Sequence, residues 1–341
     1  MKKHFYLFAL LAFTVITSKA SVLTVSNDSK KPATYTSINA AMTAANAGDT
    51  IFVSGTATGY GDVKIKKSLT LIGQGHHPAN VNVPATTVDY VDIYTDNVTV
   101  IGFNITQNVN YYSQVKSSNV DIERCYIAYT MYVRDSSTNW IIANNFLYRV
   151  GGPSSSAVNN ILILNNVFYH FSVAGFLGNV TIKNNLFLST SSFGTLTSAT
   201  ISNNIFYGTQ AVSSSVDKSV FKNNISLEKP GSGATSFDSI PGGTNTGSGN
   251  YISKDPGFLK IDAADRFNPF DANNDWHLKS TSIGHNGGTD GTDVGIYGGS
   301  KPMTSYGGDP ALPLITDFDI INVVVPQGGT LKFSVKAKKQ Q

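Results

Sequence analysis

The amino-acid sequence predicts an all-β fold: a single-stranded right-handed parallel β-helix with an N-terminal capping helix and a C-terminal β-hairpin appendage. Three observations point there. Asparagine pairs recur at Asn144-Asn145, Asn165-Asn166, Asn184-Asn185, Asn203-Asn204 and Asn223-Asn224, with spacings of 21, 19, 19 and 20. Each pair follows a short run of alternating apolar residues, as in Val180-Thr-Ile-Lys-Asn-Asn-Leu186, and alternation of period two is the signature of a strand. Charged residues are only 14% of the chain while hydrophobic ones are 41%, so a large core can be buried with few charges around it.

The elements follow in chain order. Residues 1–20 carry Lys2, Lys3 and His4, then an apolar run from Phe5 to Thr17, then Ser18-Lys19-Ala20, the pattern of a secretory signal peptide. Without them the chain holds 22 basic and 22 acidic residues, and this balance argues against a nucleic-acid partner, which needs a basic excess. No later run reaches the ~18 apolar residues of a membrane span. Tyr35 to Ala45 has helical spacing, with Tyr35, Ile38, Met42 and Ala45 near one face and Thr36 or Ser37 as N-cap. From there to about residue 300 the chain reads as coils near 20 residues long. That is too short for helix-pair repeats of about 33–47 residues. Asn tolerates the left-handed backbone of a tight corner and can stack its amide on the next coil. Stepping back along the repeat, Arg124-Cys125 fills the Asn-Asn slot after Val120-Asp-Ile-Glu123, and Gly102 and Gly73 hold earlier corners. Cys125 is the single cysteine, so no intrachain disulfide can form. Residues 301–341 differ: Pro302, Pro310 and Pro313 mark a linker, and Ile315–Val325 and Leu331–Val335 read as a hairpin around Gln327-Gly-Gly-Thr330. Such strands could cover the solenoid, mediate self-association or serve as a surface-anchoring tail.

Two segments resemble the pectate-lyase-like family of secreted bacterial β-helix proteins. Tyr35…Ile38…Ala41…Ala45…Gly48-Asp49-Thr50-Ile51…Val53…Gly55…Tyr60, then Leu69-Thr-Leu-Ile-Gly73, is similar to that family's entry signature. Asp255-Pro-Gly-Phe258, Asp275-Trp-His-Leu278, Ser280…Gly284 and Asp293-Val-Gly-Ile-Tyr-Gly-Gly299 resemble its closing segment, although Ser282-Ile283 departs from the usual Ser-Pro-Ala step. The resemblance spans residues 33–300. It implies an exported protein, secreted or in the cell envelope, with polysaccharide lying along the groove of the first sheet. It specifies no single activity, because the fold hosts lyases, hydrolases, isomerases and non-enzymes.

In that architecture the first-sheet strands would be Val91–Thr95, Ser113–Ser117 and Met131–Asp135. Alternation then sends Val91, Ile93, Val115 and Val133 inward, and builds two outward columns, Asp92/Gln114/Tyr132 and Tyr94/Lys116/Arg134. Arg149 would lie in the loop returning to this sheet. Tyr90, Tyr94, Tyr111, Tyr112, Tyr129 and Tyr132 offer faces for sugar rings, and Lys116, Arg134 and Arg149 offer cations for uronate carboxylates. The resemblance adds a lyase reading, in which Arg134, Lys116 or Arg149 is the base and Ca²⁺ is held by acidic groups. Asp92 and Asp135 lie near, but a close set of three or four carboxylates is missing. Ordinary solvated residues with cross-coil charge pairing are the plain alternative.

Asp121 and Glu123 fall two apart on a second-sheet strand beside Arg124, which reads as a carboxylate pair or as a surface salt link. Asp271-Ala-Asn-Asn-Asp275, with Asp262 and Asp265 upstream, offers Asp271, Asn273 and Asp275 as Ca²⁺ ligands or as Asx turns. The expected function is an exported polysaccharide-associated protein that binds acidic glycans and, if an enzyme, cleaves them as a lyase or glycoside hydrolase. The alternative is a non-catalytic surface, adhesin-like or spacer protein.

Overall fold

The computed structural model describes residues 20–76, 84–170, 173–188, 193–208, 215–231, 233–240, 243–264, 266–268, 271, 273–303, 313–321 and 324–339. The leader and the stretch 304–312 of the linker lie outside the described residues, apart from Ala20. Among them the chain is a right-handed parallel β-helix of about eight turns with one short α-helix.

The second sheet is the long one. It runs, strand on parallel strand, from Val22–Val25 through Thr50–Val53, Thr70–Ile72, Val98–Ile101, Ser118–Glu123, Thr138–Ala143, Ala157–Leu164, Phe176–Lys183 and Leu196–Ser202 to Val220–Lys222 and Thr246–Ser248. Register is held coil to coil, as in Val100↔Ile122↔Ile142↔Ile163↔Ile182↔Ile201, and these inward residues are buried. After the corner a third sheet stacks short strands whose inward residues Phe168, Phe187 and Phe206 overlap face to face at 4.8 and 4.9 Å.

The corner between these sheets bears out the asparagine pattern. The first residue of each slot adopts left-handed backbone: Asn144, Asn165, Asn184, Asn203 and Asn223 have φ between 51° and 58°, and Arg124 has 55°. Gly102 and Gly249 occupy the same slot at φ 73° and 65°. Asn adopts this conformation more readily than other residues with a side chain. The second residue points inward and builds a ladder buried through Asn145, Asn166, Asn185, Asn204 and Asn224 and ending at the half-buried Asn250. Each Oδ1 accepts the main-chain N–H of the preceding rung at 2.9–3.0 Å, and each Nδ2 donates to a carbonyl one coil back, such as Asn185 to Ile163 O at 2.9 Å. Cys125 is the rung before Asn145. Its N–H donates to Asn145 Oδ1 at 2.9 Å and its Sγ reaches Val100 O at 3.8 Å, the place an Asn amide would take. The cysteine is wholly buried, and burial pushes its thiol up to about 12.

A second, exposed ladder lines the opposite corner. Asn97, Asn119, Asn139 and Asn160 are all left-handed, and each Nδ2 donates to the preceding Oδ1 at 2.9 Å. Its signal was present as single asparagines at or within four successive second-sheet strands, but a lone Asn at a turn reads as punctuation.

The helix Ile38–Ala44 caps the first coil. Ser37 is its N-cap, accepting from Ala40 N, and Ile38, Ala41 and Met42 face the core. It is shorter than the Tyr35–Ala45 expected, because Tyr35 instead bridges to Val25. The segment resembling a closing motif packs on the outside of the solenoid. It runs back along the corner as a strap: Asn223 Nδ2 donates to Gly287 O, Asn203 to Thr289 Oγ1, Asn184 to Gly295 O and Asn165 to Ile296 O. Lys183 pairs with Asp290 at 2.7 Å, and Lys301 pairs with Glu123. Beneath it lies a second core on the outside of the third sheet, where Phe146, Val167, Leu186, Ile205 and Ile225 meet Phe258, Trp276, Leu278, Val294 and Ile296. The appendage is an antiparallel hairpin of Pro313–Ile320 and Phe333–Lys339, paired Asp317↔Lys336 and Phe318↔Val335.

Candidate functional site

The first sheet begins with Val63–Ile65 paired to Val91–Ile93, and continues through Val91↔Val109↔Met131, Met131↔Val150 and Val150↔Val173. This corrects the expected register. The residue beside Val91 is Val109, not Ser113 or its neighbours. Asn110 is the cause. At φ 56° it turns the chain off the sheet, and its side chain replaces the missing backbone: Oδ1 accepts from Ile93 N at 2.8 Å and Nδ2 donates to Tyr132 O at 3.2 Å. Residues 111–117 therefore form a loop, Val115 is 45% exposed instead of inward, and Gln114 and Lys116 are exposed on that loop rather than in a column.

Asp92 is corrected as well. Expected outward, it is fully buried beneath the loop, where Oδ1 accepts from Tyr112 N at 2.9 Å and Ser113 N at 3.0 Å. Its Oδ2 is buried and makes no hydrogen bond among the described residues. Arg134 completes the clamp from the next coil. Nε donates to Ser113 O at 2.8 Å, and Nη2 donates to Tyr111 O at 3.1 Å and to Asn110 O. Its guanidinium carbon stands 4.8 Å from the centre of the Tyr132 ring. Burial draws the Arg134 guanidinium below its ordinary value, opposed by Tyr132, Asp92 and Asp135. Asp92, Arg134 and Tyr132 are thus brought together by the loop they hold, with Asp135 exposed beside them.

The clamp presents aromatic rings to solvent. Tyr111 and Tyr112 are 47% and 54% exposed, with centroids 5.0 Å apart and edge to face. Tyr90 lies 5.0 Å from Tyr112, and Tyr132 lies 6.4 Å from Tyr111. A second cluster adjoins on the turn from the third sheet, where Tyr129, 49% exposed, lies 6.1 Å from Tyr148, which stacks on His170 at 4.6 Å. Arg149 is exposed and sits within the strand Phe146–Gly151, in register with Thr130, rather than in a loop. Tyr94 is half-buried one coil back, where its N–H donates to Ile65 O and its ring faces Lys66, not Lys116. Asn110, Tyr148 and His170 were not legible as site residues: only the true register places them on this face.

The other candidates resolve differently. Glu123 is buried under the strap and pairs with Lys301, so it is not a surface carboxylate. Asp121 is half-buried beside it, and burial raises its carboxyl against the pull of Lys301. Asp271 Oδ1 accepts from Asn273 N at 2.8 Å, an Asx turn, and Asp275 Oδ1 bonds His277 Nδ1 at 2.7 Å. Asp265 lies outside the described residues. Among the described residues no three His, Cys, Asp or Glu side chains converge as a metal site, and no helix is long and apolar enough to cross a membrane.

No family profile matches the chain, and a search of curated proteins returns no match. Among solved structures the chain is similar to the pectin methylesterase from Aspergillus niger, at 12% identity and a TM-score of 0.29, covering 70% of this chain and 88% of that one. At this level of similarity the likeness bears on neither activity nor site residues.

Proposed function

We propose that the protein is exported, to the cell envelope or beyond it, and binds acidic polysaccharide along the first-sheet face. The observation that carries this reading is the clamped loop 110–113. A buried carboxylate and a guanidinium fix its backbone from two sides, so Tyr111 and Tyr112 stand rigid and solvent-facing beside Tyr132, with Arg149 and Lys116 at the margins. Rigid aromatic faces suit the apolar faces of sugar rings, and flanking cations suit uronate carboxylates. Retention is favoured over turnover, because Arg134 spends Nε and Nη2 on loop carbonyls and Asp92 is sealed from solvent.

The test is an array of acidic and neutral polysaccharides with Ca²⁺ and with chelator, reading retention and the ultraviolet absorbance of unsaturated uronate. Retention without absorbance, lost in the double substitution Arg134→Ala and Lys116→Ala and in Y111A/Y112A, is expected. Rising absorbance would establish a lyase instead and send the search for a base to Arg134, Lys116 and Arg149. One observation favours a second reading, a non-catalytic adhesin-like protein: the terminal hairpin exposes Ile320, Ile321, Val324 and Phe333 at 53%, 63%, 84% and 55%, a surface suited to self-association or anchoring.

A further inference from the structure

The face described above continues toward the N-terminus into a cleft that the glycan reading does not use. The cleft has a volume of about 330 Å³ and opens between the capping helix and the first strand of the first sheet. Lys64 lines it from that strand, Lys66 and Lys67 from the turn that follows, Asn39, Met42 and Thr43 from the helix, and Leu69 from just before the next strand. Its volume is at the lower end of ligand-sized clefts, about 300–1,000 Å³.

The charge in this cleft is of one sign and largely unspent. Lys67 is committed, since its Nζ donates to Thr43 O and Ala45 O at the end of the helix. Asn39 Nδ2 donates to Asp62 O, and Thr43 Oγ1 donates to Asn39 O. Lys64 and Lys66 make no ion pair among the described residues. The registered neighbour of Lys64 is Asp92, but that carboxylate is buried and turned to Tyr112 N and Ser113 N. Asp62, on the turn before Lys64, is exposed. Lys66 lies 6.0 Å from the centre of the Tyr94 ring, which places an aromatic residue of the same face beside this lysine.

We infer that this cleft is an anion subsite that takes a carboxylate or sulfate ester carried on a sugar, with Lys64 and Lys66 as its ligands and Tyr94 as the platform for the ring. It deepens the glycan reading and rests on it for the polymer. Coils spaced by about 4.8 Å put the cleft one coil from Tyr94 and two from the Tyr111–Tyr112 loop, within the span of about three sugars. The glycan held here is therefore charged at its cleft end, and not merely acidic on average.

The test compares wild-type, K64Q/K66Q, K64R/K66R and Y111A/Y112A chains, each checked for an unchanged melting temperature. The probes are trigalacturonate, its methyl ester and a sulfated trisaccharide. K64Q/K66Q is expected to lose roughly tenfold or more in affinity for one or both charged probes and nothing for the ester, with K64R/K66R restoring binding. The probe that suffers the larger loss identifies the preferred anion. Equal affinity of K64Q/K66Q and wild type for both charged probes, with Y111A/Y112A weakened, overturns the subsite and leaves the glycan reading standing. If the wild type binds none of the three, the glycan reading fails. The cleft is then judged by side-chain amine resonances of Lys64 and Lys66 titrated with galacturonate monomer and inorganic sulfate. Saturable shifts of both support an anion site, and their absence overturns it.

Discussion

Replacing Asn185 by alanine tests the physical account of the corner most directly. Its amide sits mid-ladder and is fully buried. Nδ2 donates to Ile163 O at 2.9 Å, Lys183 O at 3.0 Å and Asn204 Oδ1 at 2.9 Å, while Oδ1 accepts from Asn166 N at 2.9 Å and Asn166 Nδ2 at 3.0 Å. Asn166 Nδ2 keeps Ile142 O and Asn204 Oδ1 keeps Asn185 N–H, so those two groups are not orphaned. The Asn166 N–H loses its acceptor in a place that water does not reach. Leaving a buried donor unmet costs about 1–3 kcal/mol, and each net hydrogen bond lost adds about 1 kcal/mol. The expected loss for N185A is about 3–5 kcal/mol. Asn139→Ala is the control. It breaks the same kind of amide chain on an exposed corner, with bonds to Asn119 and Asn160, and forfeits the preference of Asn for φ 56°. Water replaces the amide there, so the expected loss is about 1 kcal/mol. Urea unfolding with a common slope reads both. Equal losses, or a loss below about 1 kcal/mol for N185A, would refute the claim that buried amide rungs hold the coils in register.

Two further outcomes follow from the same geometry. Cys125, buried and with its thiol raised to about 12, is expected to resist alkylation at pH 8 until the coil opens, and C125N is expected to extend the ladder toward Val100 O without loss of stability; alkylation as fast as that of a free thiol would contradict the burial. At Asp290, burial pushes the carboxyl up, but Lys183 and Thr292 outweigh it and hold it at about 2 instead of 3.8. A carboxyl lowered by folding adds stability above its unfolded value and loses it as pH falls toward the folded one. The strap is therefore expected to weaken between about pH 4 and pH 2 by on the order of 1 kcal/mol, and D290N to remove that part of the acid sensitivity; an unchanged acid profile in D290N would count against the Lys183 pairing.

The solenoid was legible because its corners repeat: asparagine pairs near every 20 residues can satisfy left-handed backbone and an inward amide at once. Five repetitions make one weak local preference decisive. The first-sheet register was not legible for the converse reason. It turns on Asn110 alone, whose side chain stands in for a strand, and the alternation of Ser113–Ser117 imitates a strand that does not form. Asp92 and Arg134 were placed on one face but in separate columns, and their work of clamping the loop from below depends on that unforeseen turn. The outer core under the strap escaped notice because Phe146, Val167, Leu186, Ile205 and Ile225 read as continuations of the inward pattern, whereas they face outward and meet a segment more than a hundred residues from the first of them.

A stack of coils that touches only its neighbours unravels from its ends, one unit at a time. The strap changes that behaviour here. By bonding Asn223, Asn203, Asn184 and Asn165 in succession, it ties four coils to a single piece of chain that is synthesised after all of them. The middle of the solenoid should therefore open as one cooperative block, not coil by coil. Until residues 284–298 arrive, that block is also unfinished, with an apolar stripe bare along its length. Order of synthesis thus becomes order of assembly: the coils can stack early, but the last-made segment locks them.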